Sequence, residues 1–319
     1  MSAERWHLLY VGGWGRSGST LLDRMLGQLP GVVSVGEVRE IFQRGCVENR
    51  LCGCGRPFHD CAFWTAVGER AFGGWSSIDA TDVVASWRRV DRPWVAPLLL
   101  RRRLPRRLAP AVEAYSDVLK KLYTAIAEVS GASLIVDSSK LPSYALLLER
   151  ALPGRVRAVH LVRDSRGVVF SWQKHVTRPD GTSADAMHRY GALAAAVRYD
   201  VYNGTANLLD RAGVPTIRCR YEDLVAEPAV AVATMLEHAG HGVPADQRDY
   251  LRGDAVELAA NHTVDGNPMR FDTGAVPLRI DDAWRRSMTL VDRVTVGLVT
   301  APLLLRYGYL SRKGQRPAR

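Results

Sequence analysis

The densest chemistry in the chain lies in Gly12-Gly13-Trp14-Gly15-Arg16-Ser17-Gly18-Ser19-Thr20, which holds four glycines, an arginine and three hydroxyl residues. Glycines let a backbone wrap a phosphate, and the open N–H groups at the start of a following helix point at it. Against the motif G-x-x-x-x-G-K-[ST], Gly13, Gly18 and Thr20 fall in register, but Ser19 stands where the lysine belongs. That lysine reaches the β- and γ-phosphates, so its loss argues against a nucleoside triphosphate and for a shorter anionic ligand. Arg16 keeps a cation in the loop. The plain alternative is a tight strand–helix turn with no ligand.

Further candidates follow apolar runs. Glu37 comes directly after Val32-Val33-Ser34-Val35-Gly36, where it either faces a cleft or only favours a helix start. Lys140 closes Asp137-Ser138-Ser139-Lys140 after Leu134-Ile135-Val136, on the same expected rim as Arg16 and Glu37. Arg163 ends the run Val156–Val162, and Ser171 lies two helical turns further on; a structural pairing of Arg163 with an aspartate is the alternative.

Four of the five cysteines, Cys46, Cys52, Cys54 and Cys61, fall between residues 44 and 64. Four sulfurs so close could bind zinc, but C-x-C followed by C-x6-C is not a common finger spacing, and a reduced loop or one disulfide is the simpler expectation. From Arg88 to Arg107, arginines mix with Trp94, Leu98, Leu99, Leu100, Pro93 and Pro105. This reads as a lid over an acceptor, a membrane-surface contact or a solvated charged face.

The elements that must position these residues alternate. The run Leu8-Leu9-Tyr10-Val11 fits a buried strand, and Leu21, Leu22, Met25, Leu26 and Leu29 share one helical face. A helical pattern covers Val38 to Phe42, and an amphipathic helix covers Ala111 to Val129, ended by Gly131. Pro142 starts a helix, a long helical region runs from about Asp185 to Arg211, and Thr216–Arg220 is a fifth strand before a helix near Val230 to Ala239. The chain is again helical after Trp284, with Ala301 to Tyr309 packing on the domain. Five strands alternating with helices predict an α/β fold: a P-loop-like doubly wound parallel sheet, residues 1–319 forming a single domain with helical insertions.

Composition agrees. At 319 residues, 47% apolar and 24% charged, the chain suits a globule with a sizeable core. No apolar run approaches the roughly 20 residues of a membrane span, and a strand begins almost at residue 1, so a cytoplasmic, bacterial-style protein is expected. The net charge of +10 invites a nucleic-acid reading. The basic residues gather instead at Arg88–Arg107 and in the tail from Arg306 to Arg319, with no aromatic-interleaved strand pair, so no nucleic-acid partner is expected. An anionic small molecule or an acidic surface accounts for the charge as well.

Taken together, these segments resemble the sulfotransferases that use 3′-phosphoadenosine-5′-phosphosulfate (PAPS), over nearly the whole chain. Gly15-Arg16-Ser17-Gly18-Ser19-Thr20-Leu21-Leu22 is similar to their 5′-phosphosulfate loop. Arg163-Asp164-Ser165-Arg166-Gly167 through Ser171 is similar to their 3′-phosphate motif, with Ser165 where proline is more usual. The combination of Val35-Gly36-Glu37 with Asp137-Ser138-Ser139-Lys140 resembles the tyrosylprotein branch and its bacterial relatives. The resemblance implies that Arg163 and Ser171 hold the 3′-phosphate and that Tyr221 lines the adenosine side. Asn267 and Arg270 would belong to a nucleotide-closing loop, and a further 3′-phosphate contact near Lys174 or His175 stays open. It implies Glu37 as the base, with Arg16 and Lys140 stabilising the transferring group, adenosine-3′,5′-bisphosphate as product, and no metal. Residues 44–110 would form an acceptor-side insertion. The acceptor it implies is a hydroxyl of a carbohydrate, natural product, lipid-linked glycan or tyrosine. The rivals are a phosphotransferase with a degenerate loop, which would need ATP and magnesium, and a non-catalytic nucleotide binder.

Overall fold

The computed structural model describes residues 6–101, 103–177, 179, 188–251 and 253–310. Five strands, β1 (His7–Gly13), β2 (Val32–Gly36), β3 (Leu134–Lys140), β4 (Val156–Val162) and β5 (Thr216–Arg220), form one parallel sheet in the order β2-β3-β1-β4-β5. Between and after them run α1 (Ser19–Leu26), α2 (Ala62–Phe72), α3 (Ala80–Val90), α4 (Ala96–Leu99), α5 (Ala109–Ser130), α6 (Pro142–Ala151), α7 (Ser165–Gln173), α8 (Ala192–Ala206), α9 (Tyr221–Ala226) and α10 (Pro228–Ala239). An antiparallel pair, β6 (Ala255–Leu258) and β7 (Gly274–Pro277), follows. The short helices α11 (Trp284–Ser287), α12 (Leu290–Val299) and α13 (Ala301–Arg306) come last.

Strands covered on both faces read as continuous apolar runs, and the period of two divides them between two cores. Leu8, Tyr10, Ile135, Val156 and Ala158 join one apolar cluster with α5 and α6. Leu9, Val11, Leu134, Val136, Val159 and Leu161 join another with α1, α9 and α10. The doubly wound α/β sheet expected from the sequence is present. Its strand order sends the connection after β1 toward β2 and the connection after β4 the other way, toward β5. A crevice therefore opens between the C-terminal ends of β1 and β4.

Residues 44–110 share the first of these cores. Cys52, Phe58, Trp64, Val84, Trp87 and Leu99 are buried in the same cluster as Leu8 and Ile135. Within the arginine-rich stretch, Val95, Ala96 and Leu99 are buried while Trp94 is 71% exposed; Arg102 lies outside the described residues.

Two helical expectations change. The Val38–Phe42 pattern forms a 3-10 turn, Val38–Glu40, running into a π-helix, Ile41–Val47. The amides of Glu37 and Arg39 there are committed to Val264 O (2.7 Å) and Ser139 Oγ (3.1 Å). The long region from Asp185 to Arg211 holds α8 and the start of a 3-10 turn, Asp210–Ala212, among the described residues, because the chain turns at Asn207, and 185–187 lie outside them. Residues 311–319 of the basic tail also lie outside the described residues. No helix among the described residues is long and apolar enough to cross a membrane.

Candidate active site

All five parallel strands deliver a candidate residue at their C-terminal ends: the glycine loop after β1, Glu37 after β2, Lys140 at the end of β3, Arg163 after β4 and Tyr221 after β5. They line one cleft of about 510 Å3, together with Gly15, Gly18, Ser19, Thr20, Ser171 and Asn267.

The loop is shaped for a close approach. Gly18 caps α1 with φ +91, and a Cβ placed there would fall 2.5 Å from the Tyr221 ring. Among the described residues no side chain caps α1, which leaves the amides of its first turn open to a ligand. Ser17 is 1% exposed, and its hydroxyl finds no hydrogen-bond partner among the described residues. Arg16 adopts the left-handed conformation, φ +71, which a non-glycine residue occupies at a cost and which recurs at functional sites. Its guanidinium lies 5.0 Å from the centre of the Trp172 ring, and Trp172 Nε1 donates to Gly15 O at 3.2 Å.

Lys140 is the second such residue, with φ +72. An irregularity in the β1–β3 pairing brings it opposite Gly12. Buried Asp137 anchors this bend by accepting from Ser139 N (2.7 Å) and from Tyr123 OH. Burial pushes the Asp137 carboxyl up to about 6. Lys140 Nζ donates to Glu37 Oε1 in an ion pair across the ends of β3 and β2. Behind Glu37, the segment around Val264 runs alongside β2, with Val264 N donating to Val35 O at 2.9 Å. Gly266, with φ +114, brings the backbone so close that a Cβ would lie 3.1 Å from Glu37 Oε1.

On the other side of the crevice, Arg163 donates to Arg16 O (3.2 Å) and Asp281 O (2.8 Å), pairs with Asp281 Oδ2 at 3.3 Å and stacks over Tyr221 at 4.7 Å. Burial alone would raise the Asp281 carboxyl, but the charges of Arg163 and Lys174 outweigh it and hold the pKa below its ordinary value. The Arg–aspartate pairing thus exists, with a partner far along the chain and beside the cleft. Lys174 joins it at 3.4 Å from Asp281 Oδ2.

Two candidates sit elsewhere. Arg270 does not line the cleft: it is 1% exposed and donates to Thr263 O (2.7 Å) and Leu51 O (2.6 Å), so its side chain is directed into the protein. The Ser17 side chain is likewise absent from the cleft wall and lies beneath the loop.

The structure adds Arg39, Glu40, Trp172, Arg279 and Asp281 to the lining. Arg39 pairs with Asp91 and Glu40 and stacks on Trp87 at 4.5 Å, which ties α3 to the cleft wall. Burial raises the Glu40 carboxyl, with Arg39 opposing. Glu40 follows Glu37 by three residues, a spacing that signals a shared helical face; Asp281 and Arg279 carry no local signal.

No protein-family model matches the chain, and no curated protein matches its sequence. Among solved structures the chain is similar to the sulfotransferase domain of a Synechococcus olefin synthase, with 18% identity, coverage of 92% of this chain and 94% of that one, and a TM-score of 0.47. It is also similar to the sulfotransferase domain from the curacin biosynthetic pathway, at 16% identity, 93% and 97% coverage and a TM-score of 0.46. A sulfotransferase from Mycobacterium avium is 12% identical, with 96% and 77% coverage and a TM-score of 0.45.

Proposed function

We propose that the protein is a sulfotransferase that moves a sulfonate from PAPS to a hydroxyl acceptor. One observation carries this reading: two sets of residues suited to an anion, the Gly15–Thr20 loop and Arg163 with Ser171, line one cleft at the β1/β4 crevice, and no lysine stands at the triphosphate position. The uncapped first turn of α1, which opens onto the cleft at Ser19 and Thr20, fits a phosphate. Arg163 and Ser171 would hold the 3′-phosphate and Tyr221 the adenosine side. Asn267 borders the cleft from the loop that closes on Glu37.

In this reading Glu37 takes the acceptor's hydroxyl proton as the acceptor oxygen bonds to sulfur and the sulfur–oxygen bond to the 5′-phosphate breaks. The electron pair leaves on that phosphate, and adenosine-3′,5′-bisphosphate is released. Lys140, paired with Glu37 beforehand, turns to the charge growing at the reacting centre while Arg16 holds the phosphate side. These fixed cations do the work for which phosphoryl transfer recruits magnesium, so the reading calls for no metal at the reacting atoms. Residues 44–110, tied to the cleft through Arg39 and Asp91, would form the acceptor side, with a small-molecule or glycan hydroxyl as the acceptor.

Thermal unfolding tests the donor site. Adenosine-3′,5′-bisphosphate should raise Tm by mass action, and ATP with magnesium should not. A larger shift with ATP would move the assignment to a phosphotransferase. Radiolabelled PAPS incubated with the enzyme and a cell extract should then label the acceptor.

A further inference from the structure

Three of the four clustered cysteines converge with a histidine from the far end of the chain. Cys61 Sγ lies 3.6 Å from Cys52 Sγ and 3.7 Å from Cys54 Sγ. His262 Nδ1 lies 3.3 Å from Cys61 Sγ and 3.8 Å from Cys52 Sγ, and all four ligand atoms fall within 4.8 Å of one another. A disulfide needs sulfurs about 2.05 Å apart, and Cys61 lies almost equally far from Cys52 and Cys54, which singles out no pair. These four separations, 3.3 to 3.8 Å, fall near the edges of a metal-centred tetrahedron instead. Zn–S bonds of about 2.3 Å and a Zn–N bond of about 2.0–2.1 Å give S···S edges of roughly 3.8 Å and S···N edges of roughly 3.6 Å.

We propose that Cys52, Cys54, Cys61 and His262 form a structural zinc site, with three thiolates and one imidazole Nδ1 filling the coordination sphere. Four protein ligands leave no open position for catalysis, and soft thiolates favour zinc over the hard cations. Binding is not a redox step: the three thiols give their protons to solvent as the sulfurs bond the ion, and the imidazole keeps its remaining proton on Nε2.

The surrounding chain is already built for this. Leu51 and Pro57 pair antiparallel and Cys52 N donates to Arg56 O at 2.7 Å, so Cys52 and Cys54 stand on one tight hairpin. The imidazole is oriented from outside the sphere: Phe63 stacks on it at 5.0 Å and 18°, and Trp64 Nε1 donates to His262 O at 2.8 Å. Gly53 N donates to Thr263 O at 3.0 Å, and buried Arg270 bonds Leu51 O and Thr263 O together, holding the two strands of chain at ligand distance. None of the four ligands lines the cleft. The ion would instead pin the 44–110 segment to the stretch that continues into Asp265, Gly266 and Asn267 on the cleft wall. Cys46 stands apart, with burial pushing its thiol up to about 12.

The test is metal analysis of the full chain, purified under reducing conditions, and it does not depend on transfer activity. About one zinc per chain is expected, released by a mercurial thiol reagent, and cobalt exchanged into the wild-type protein should show thiolate-to-metal charge transfer and tetrahedral d–d bands. Cys54→Ser and His262→Ala should lose the ion, whereas Cys46→Ser should keep it. If the ligand variants fail to fold, the cobalt spectrum of the wild type still decides. Less than about a tenth of an equivalent of zinc after dialysis against equimolar metal, a cobalt spectrum without thiolate bands, metal loss in Cys46→Ser, or a disulfide among the three cysteines in the reduced protein would overturn the proposal.

Discussion

Lys140 donates to Glu37 across the ends of β3 and β2, although 103 residues separate them. The pairing couples the proposed base to one of the cations proposed to stabilise transfer, and it gives Glu37 a role beyond starting a helix. Glu37→Gln keeps size and hydrogen bonding but cannot take a proton. We expect turnover to fall by about 10²–10⁴, with bisphosphate affinity and Tm unchanged. If product formation stays near wild type, Glu40, on the same cleft wall, becomes the residue to test.

Arg163→Ala and Ser171→Ala should weaken bisphosphate binding far more than they slow turnover at saturating donor, because a remote phosphate is held equally in ground and transition states. Binding by calorimetry and single-turnover rates on the same variants separate the two effects. Slow chemistry with unchanged affinity would contradict the assignment.

Gly18→Ala would force a side chain into φ +91 and against the Tyr221 ring. The left-handed conformation alone costs about 1–2 kcal/mol. We expect bisphosphate affinity to fall about tenfold or more, together with a lower Tm. A variant with wild-type affinity would show that the loop does not grip the ligand.

Arg270→Leu should act on stability rather than on binding. It leaves the carbonyls of Leu51 and Thr263 without their buried donor, a loss of about 2–5 kcal/mol by denaturant unfolding. Normal stability with weakened bisphosphate binding would return Arg270 to the nucleotide site.

His160 makes stability depend on pH. It is buried on β4 with Nε2 bonded to Asn203 Oδ1 at 2.9 Å, and burial pushes its pKa down to about 4. A depressed folded pKa favours the neutral form, so this contribution is present above about pH 6.5 and is lost as pH falls toward 4, at most about 3 kcal/mol. Asp23 and Asp137, which burial pushes up to about 7 and about 6, act in the opposite direction over the same range. The measurable quantity is therefore the difference between wild type and His160→Gln: between pH 6.5 and 4, the wild type should lose stability relative to the variant. Parallel pH profiles would exclude the effect.

The sequence alone determined the layers of this protein and the rim of its cleft. Runs such as Leu8–Val11 and Leu134–Val136 are apolar on both faces, as strands inside a covered parallel sheet are, and their short length and flanking turn residues favour strands over helices. In a parallel sheet the residues after each strand must gather at one edge, so Arg16, Glu37 and Lys140 were legible as neighbours, whereas Tyr221 entered only through the family resemblance. The tertiary structure decided which of these residues touch. The Lys140–Glu37 pair depends on a bend in β3, and the Arg163–Asp281 pair depends on where a distant loop returns, which no local spacing encodes. The resemblance implied a nucleotide-closing role for Arg270, but its surroundings bury it against two carbonyls. The cysteines reveal a ligand set only when the chain near Val264 runs alongside β2 and carries His262 to them, since a tetrahedron is a relation among positions in space and not among neighbours in the chain.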